Sequence, residues 1–257
     1  MEHHNKDVMI YHFDPKKRYF LVSLHLENKP GELGNVANML GIRGINILEG
    51  FFGGMADGPV ANMGFFVETM NDRMDAAWLR DYLKSAVGVS DVEVKAGVEG
   101  FLSDTLDFPV TWNSGHRALV MRVEGVNAMI SAVKASEGGN SVAYDQGLNF
   151  GRWSWEDLIG THRPKTKEGL QEMLGIYAAA GWGRVQVVDL DADHRKARLK
   201  MDEGFECSGP PTGKVGCYFT AGHFAGVFST FFGTAVTCEE TKCRLKGDSH
   251  CEFSVSA

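Results

Sequence analysis

The chain has 257 residues, 44% of them hydrophobic and 23% charged. This is the composition of an ordinary globular protein and argues against disorder, collagen or coiled coil, while roughly 150 residues per domain suggests two domains. Against 26 basic side chains stand 33 acidic ones, for a net charge of −7 without any basic block, so a nucleic-acid backbone is not expected as a direct partner. All five cysteines lie from Cys207 onward. Their odd number and the polar start Met1-Glu2-His3-His4 point to a reducing, cytoplasmic setting. No membrane partner is expected: the longest apolar-rich run, Phe224 to Val236, is broken by glycine, serine and threonine and falls short of the ~20 residues a spanning helix needs.

Tyr19 to Leu26 is rich in β-branched and aromatic residues and reads as a buried strand. The turn Asn28-Lys29-Pro30-Gly31 follows, then Leu33, Val36, Ala37 and Leu40 at helical spacing, closed by Gly41 and Gly44. Ile45 to Phe52 is a second strand, Gly53 to Pro59 a turn, and Val60 to Glu68 a third strand. Asp75 to Ala86 carries Trp78, Leu79, Tyr82 and Leu83 on one face of a helix, and Val92 to Val94 supplies a fourth strand. The order βαββαβ predicts a ferredoxin-like α+β unit whose sheet buries one face against two helices. At Glu27-Asn28-Lys29-Pro30-Gly31-Glu32-Leu33 and Gly41-Ile42-Arg43-Gly44-Ile45-Asn46-Ile47, residues 18–97 resemble an ACT domain. The resemblance implies a regulatory module that senses an amino acid, or one that only dimerises. Gly31 opens a helix whose free N–H groups could hold a carboxylate, with Pro30 shaping the turn and Asn28 offering an amide; equally, Pro30-Gly31 is a good helix start with Asn28 as its cap. Residues 98–116, without a clear period, read as linker.

The second part, 117–257, begins with Arg117 to Val123, a strand or helix entry, and continues with helical spacing over Asn127 to Lys134. An aromatic and glycine-rich stretch, Tyr144 to Gly151 and Trp153 to Trp155, precedes a stronger helix over Thr166 to Ala180, ended by Gly181-Trp182-Gly183. Arg184 to Leu190 and Ala197 to Met201 alternate as an antiparallel hairpin about Asp191-Ala192-Asp193-His194. Beyond Pro210-Pro211-Thr212-Gly213, Val215 to Phe232 reads as a helix of aromatic and small residues. Thr234 to Leu245 and His250 to Val255 then make a closing hairpin around Gly247-Asp248-Ser249.

That hairpin brings Cys243 and Cys251 together, and paired thiolates are natural ligands for tetrahedral Zn2+, which takes four N, S or O donors. Cys217, Glu240, Cys238 and His250 are candidates for the other two positions. With Gly181-Trp182-Gly183, Cys217, Gly222, Glu240-Thr241-Lys242-Cys243 and Gly247-Asp248-Ser249-His250-Cys251-Glu252-Phe253, residues 117–257 resemble the 4-vinyl-reductase family. The resemblance implies a small-molecule-binding module, related to sensor domains of aromatic-responsive activators and to proteins of tetrapyrrole and hydrocarbon metabolism. It also implies structural zinc held by Cys217, Glu240, Cys243 and Cys251. Glu240 and Cys243 stand an odd number of positions apart, so a bulge or strand start near Thr241 is required to turn both inward. Alternatively, these cysteines are small buried hydrophobes.

Tyr177, Trp182, Phe224 and Phe228 could wall an apolar pocket in which small Gly222, Ala225 and Gly226 leave room, although such a stripe also suits a plain core. His223 reads as a half-buried helix residue. The functional expectation is a non-enzymatic regulatory or sensor protein that binds an amino acid, a hydrophobic ligand or both, and signals through a homodimer or a protein partner. The alternative is an enzyme or accessory protein for a hydrophobic or tetrapyrrole-like intermediate. Neither a P-loop nor a Gly-x-Ser-x-Gly, His-Glu-x-x-His or dinucleotide motif is present.

Overall fold

A short strand β1 (Tyr11–Phe13) leads into β2 (Arg18–Glu27), where β-branched and aromatic side chains favour the extended backbone. Then come α1 (Glu32–Ile42), β3 (Asn46–Gly54), β4 (Val60–Thr69), α2 (Ala76–Lys84) and β5 (Val89–Ala96). This computed structural model describes residues 8, 10–54, 58–71, 73–112, 116–164 and 166–257. His3, His4, Met55 to Asp57 of the expected turn and Asn113 to Gly115 of the expected linker lie outside them. The chain divides after Leu119 into two units, and both mix helices with antiparallel sheet, an α+β architecture.

In the first unit β3-β4-β2-β5 form one antiparallel sheet. One face packs Phe20, Val22, Leu24 and Leu26 against Val36 and Leu40 of α1 and Leu79 and Leu83 of α2. Asp75 caps α2 by accepting from the Trp78 N–H at 2.7 Å. The opposite face is covered as well, where a single buried face was expected. Tyr19, Leu21 and Phe66 are apolar on that side and gather Leu102 into a second core, with Leu48 and Leu106 packed against it. Leu102 belongs to β6 (Phe101–Ser103), which pairs with β1, and the Ser23 hydroxyl donates to Asp107 Oδ1 at 2.6 Å. The opening part of the expected linker 98–116 is therefore built onto the sheet, because the apolar residues of β2 and β4 leave a face to cover. A small hairpin of β7 (Thr111–Trp112) and β8 (His116–Arg117) ends the unit.

The second unit starts with α3 (Val123–Lys134) and α4 (Gly139–His162). α5 (Lys167–Leu174) and α6 (Ile176–Ala179) replace the single helix expected over 166–180, with the break at Gly175. β9 (Arg184–Asp191) and β10 (Lys196–Asp202) form the expected hairpin. α7 (Tyr218–Phe232), β11 (Thr237–Lys242) and β12 (Cys251–Ser256) complete the unit, with sheet order β11-β12-β10-β9. Val185, Val187, Ala197, Leu199, Met201, Phe253 and Val255 alternate inward and meet the buried side of α7.

α4 is the main departure from the expected elements, since three glycines lie inside one 24-residue helix despite a cost of about 1 kcal/mol each in isolation. Two of them explain it. Gly147 and Gly151, one turn apart, lie against the backbone of Phe219 and His223, while Gly222 and Gly226 of α7 lie against the carbonyls of Tyr144 and Leu148. A Cβ at any of these four positions would run into backbone oxygen of the other helix. The reciprocal glycines let the two helices cross almost backbone to backbone. Gly222 and Gly226 therefore leave no room for a ligand, contrary to the sequence expectation; α4 fills the space.

Candidate metal centre and ligand site

Cys217 immediately precedes α7, Glu240 lies on β11, Cys243 follows β11 and Cys251 opens β12. Pairing between β11 and β12 shifts register between Glu240 and Lys242, the break at Thr241 that the odd spacing requires. A fifth residue joins them: Cys207, in a 3-10 turn over Phe205–Cys207. One donor atom from each of Cys207, Cys217, Glu240, Cys243 and Cys251 lies within 4.8 Å of all the others. Cys238 and His250 stand outside the cluster. Cys238 belongs to the apolar core and its N–H donates to the Tyr144 hydroxyl, while the His250 ring bonds Ser249.

The sulfur separations test the fit. Four thiolates around zinc at about 2.3 Å would stand ~3.8 Å apart. Cys217 lies 4.0 Å from Cys243 and 3.9 Å from Cys251, and Cys207 lies 3.7 Å and 3.2 Å from the same two sulfurs. The Cys207 and Cys217 sulfurs are in bonding contact. All four sulfurs are buried. Glu240 Oε2 accepts from the Gly216 and Cys217 N–H groups at 3.2 and 3.0 Å, which fixes the carboxylate, whereas Oε1 is buried without a hydrogen-bond partner. A buried carboxylate oxygen left bare is costly unless a cation meets it. Burial also pushes the Cys243 and Cys251 thiols up, so thiolates persist there only beside positive charge, which a bound metal supplies. The donor set therefore suits a thiophilic divalent cation.

The surroundings hold Cys207 in place. Its neighbour Glu206 caps α7, accepting from the Phe219 and Thr220 N–H groups and the Thr220 hydroxyl, and pairs with Lys134 of α3 at 3.3 Å. Burial raises the Glu206 pKa, against the opposing pull of Lys134. Asn127 of α3 donates to the Phe205 carbonyl and the Ser208 hydroxyl. The sequence reading left Cys207 unassigned because it precedes the hairpin motif; its position one residue after a buried acid was the available signal.

A second constellation surrounds His223. The sequence suggested a half-buried residue, but His223 is 2% exposed and neither ring nitrogen has a hydrogen-bond partner. Among the expected pocket residues, Trp182 (4.9 Å between ring centroids), Tyr177 (5.6 Å) and Phe224 (6.3 Å) surround it. Phe150 at 5.5 Å and Phe219 at 6.5 Å complete the cage. Phe228 is not brought there; it packs on Phe231 and Phe232. The glycine crossing sets the geometry, because Gly151 abuts the His223 carbonyl and so places its neighbour Phe150 over the imidazole. Phe150 remains 38% exposed and forms the outer wall. Apolar surroundings lower the His223 pKa to about 3, so the ring is neutral at physiological pH, with one nitrogen as donor and the other as acceptor.

This shift fixes a pH dependence. Below the unfolded value near 6.5 the unfolded chain takes up a proton that the folded ring refuses, so stability is lost as pH falls from about 6.5 toward 3. From pH 7.5 to 5 the loss from this residue is about 2 kcal/mol. His223→Leu is expected to remove that increment of acid sensitivity, measured as the difference between the two proteins' denaturation midpoints at the two pH values.

In the first unit, the Asn28 side chain donates to the Gly58 carbonyl at 3.0 Å, so its amide bridges to the turn before β4, and the residue at the cap of α1 is Gly31. Gly31 takes φ +99° ahead of α1, Pro30 is exposed, and Glu32 places a carboxylate in the first helical turn.

Residues 197–257 match the model of the vinyl-4-reductase (V-4-R) domain. A curated relative, "Uncharacterized protein MJ1642" of Methanocaldococcus jannaschii, is 28% identical over 89 residues, which are 34% of this chain and 53% of that protein. The chain thus spans about half the length of the curated relative it matches. Among solved structures it is similar to the phenol-responsive sensory domain of the transcription activator PoxR with phenol, with TM-score 0.46 and 17% identity over 56% of this chain and 79% of that one. It is also similar to a vinyl-4-reductase family protein from Methanocaldococcus jannaschii, with TM-score 0.36 and 21% identity over 55% and 82% of the two chains.

Proposed function

We propose that the second unit is a small-molecule-binding module of vinyl-4-reductase type, stapled by zinc on Cys217, Glu240, Cys243 and Cys251, and that the protein acts as a cytoplasmic sensor or regulator through binding and not turnover. The domain match over 197–257 supports the module. The observation that carries the reading is His223, fully enclosed by aromatic rings with both nitrogens unpartnered. Leaving such a group unsatisfied costs about 1–3 kcal/mol, and unmet polar groups inside apolar walls are the usual specificity element of a ligand site. A neutral imidazole both gives and accepts a hydrogen bond, so it suits a compact apolar molecule bearing one hydroxyl. The ligand would enter past Phe150, the exposed ring of the cage. Zinc, when bound, supplies a structural cross-link; the residues that hold it tie the start of α7, and with it His223, to β11 and β12. The first unit is read as a ferredoxin-like ACT module, supported by its βαββαβ order and antiparallel sheet. The bond from Asn28 to Gly58 favours a structural or dimerising role for its loop, with output through a homodimer or a protein partner.

The test is calorimetric titration of the full chain with single-ring phenols, alicyclic alcohols and their methyl ethers. Hydroxyl compounds are expected to bind at least ~10-fold more tightly than the ethers, with no change in the ligand. His223→Leu is expected to erase that preference and to raise stability at neutral pH by about 1 kcal/mol, since an unsatisfied polar group is replaced by an apolar one. Equal affinities in the native chain, or a destabilised His223→Leu protein, would count against the reading.

A further inference from the structure

The cluster offers five donors, one more than tetrahedral zinc uses. With Cys217, Glu240, Cys243 and Cys251 as ligands, the donor left over is Cys207, whose sulfur touches that of Cys217. Their Cα atoms are 6.7 Å apart, within the range a disulfide spans. The same Cys217 sulfur cannot serve both uses, because disulfide formation removes the thiolate that a metal requires. We infer that Cys207 is a redox partner for Cys217, and that forming the Cys207–Cys217 disulfide releases the metal. This inference rests on the zinc reading given above.

The chemistry is ordinary thiol–disulfide exchange with a low-molecular-weight disulfide as oxidant. Cys207 sulfur attacks one oxidant sulfur, giving a mixed disulfide and expelling the first small thiol. Cys217 sulfur then leaves the metal and attacks Cys207 sulfur, expelling the second. Two electrons pass from the protein sulfurs to the oxidant. Its two thiol products take up two protons, one from the Cys207 thiol and one from solvent, and the metal departs as the divalent ion. The exposed segment from Ser208 to Lys214 between the two cysteines is the cover that must move for the oxidant to enter. Placement of Cys207 by the Glu206 cap and the Asn127 bonds presents its sulfur to Cys217. Disulfide formation joins the two segments already held at the start of α7, and Cys243 and Cys251 remain as thiols.

The experiment uses the full chain loaded with zinc, treated with oxidised glutathione, with released zinc followed by a chromogenic chelator and disulfides mapped by peptide mass spectrometry. The expected result is one zinc released per disulfide, mapped to Cys207–Cys217, and reversal of both by dithiothreitol with added zinc. Cys207→Ser is expected to bind zinc at the same stoichiometry and to slow release by about tenfold or more, because the attacking sulfur is gone. Unchanged release from Cys207→Ser, or a disulfide joining Cys243 to Cys251, would overturn the inference while leaving the zinc reading intact. Loss of zinc binding in Cys207→Ser would also overturn it, by making Cys207 a ligand. A native chain that takes up no zinc would overturn both readings.

Discussion

Cys243→Ser is expected to lose the bound metal and to lower the melting temperature of the second unit by more than about 10 °C. Metal binding at structural thiolate sites contributes about 10–16 kcal/mol, comparable to the whole ~5–15 kcal/mol stability of a domain, so losing one ligand removes a large share of it. The site closes several segments that are distant in sequence. Cys217 stands at the head of α7, Glu240 on β11 and Cys251 at the start of β12, and without the cation the bare Glu240 oxygen is left beside four sulfurs. A chelator should reproduce the effect in the native chain, and added zinc should reverse it there but not in the variant. Cys238→Ser is the control, because Cys238 is buried outside the cluster: it should cost stability while retaining metal. Elemental analysis and calorimetry check both, and unchanged metal and melting in Cys243→Ser would sink the assignment.

Gly222→Ala is expected to destabilise the second unit by about 2–3 kcal/mol, on the order of 10 °C in melting temperature. The sign is informative, since alanine in a helix interior is intrinsically better than glycine by about 1 kcal/mol. Here the new Cβ would meet the Tyr144 carbonyl of α4, backbone that cannot rotate away, so α4 and α7 must separate. Separation also shifts Phe150 from His223, so ligand affinity should fall with stability. Gly160→Ala, also in α4 but with open space around it, should show the opposite sign. Equal, stabilising effects of both substitutions, read from chemical denaturation, would contradict the close crossing.

The difference between these two glycines illustrates what was legible in the sequence. Strands β2, β4, β9 and β10 and helices α2 and α7 were readable because their apolar residues follow the period of one element. The metal cluster was readable because Glu240, Cys243 and Cys251 fall within one hairpin, and the odd spacing even located the register shift. By contrast, Gly147 and Gly151 resembled turn residues, since the partner that makes them helical is α7, far along the chain. Residues 101–107 had no period because what orders them is the spare apolar face of Tyr19, Leu21 and Phe66. His223 was misjudged for the same reason: its burial comes from rings on α4, α6 and the Gly181–Gly183 turn, which local spacing does not bring together.

The central claim is that the second unit encloses a small molecule at His223 and is held together by zinc. Native mass spectrometry of the full chain, purified from its own cells without chelator, tests it most directly. The predicted spectrum shows a folded chain heavier than the polypeptide by one zinc ion and one small organic molecule, the latter absent from His223→Leu. A folded chain at the mass of the bare polypeptide would contradict the account.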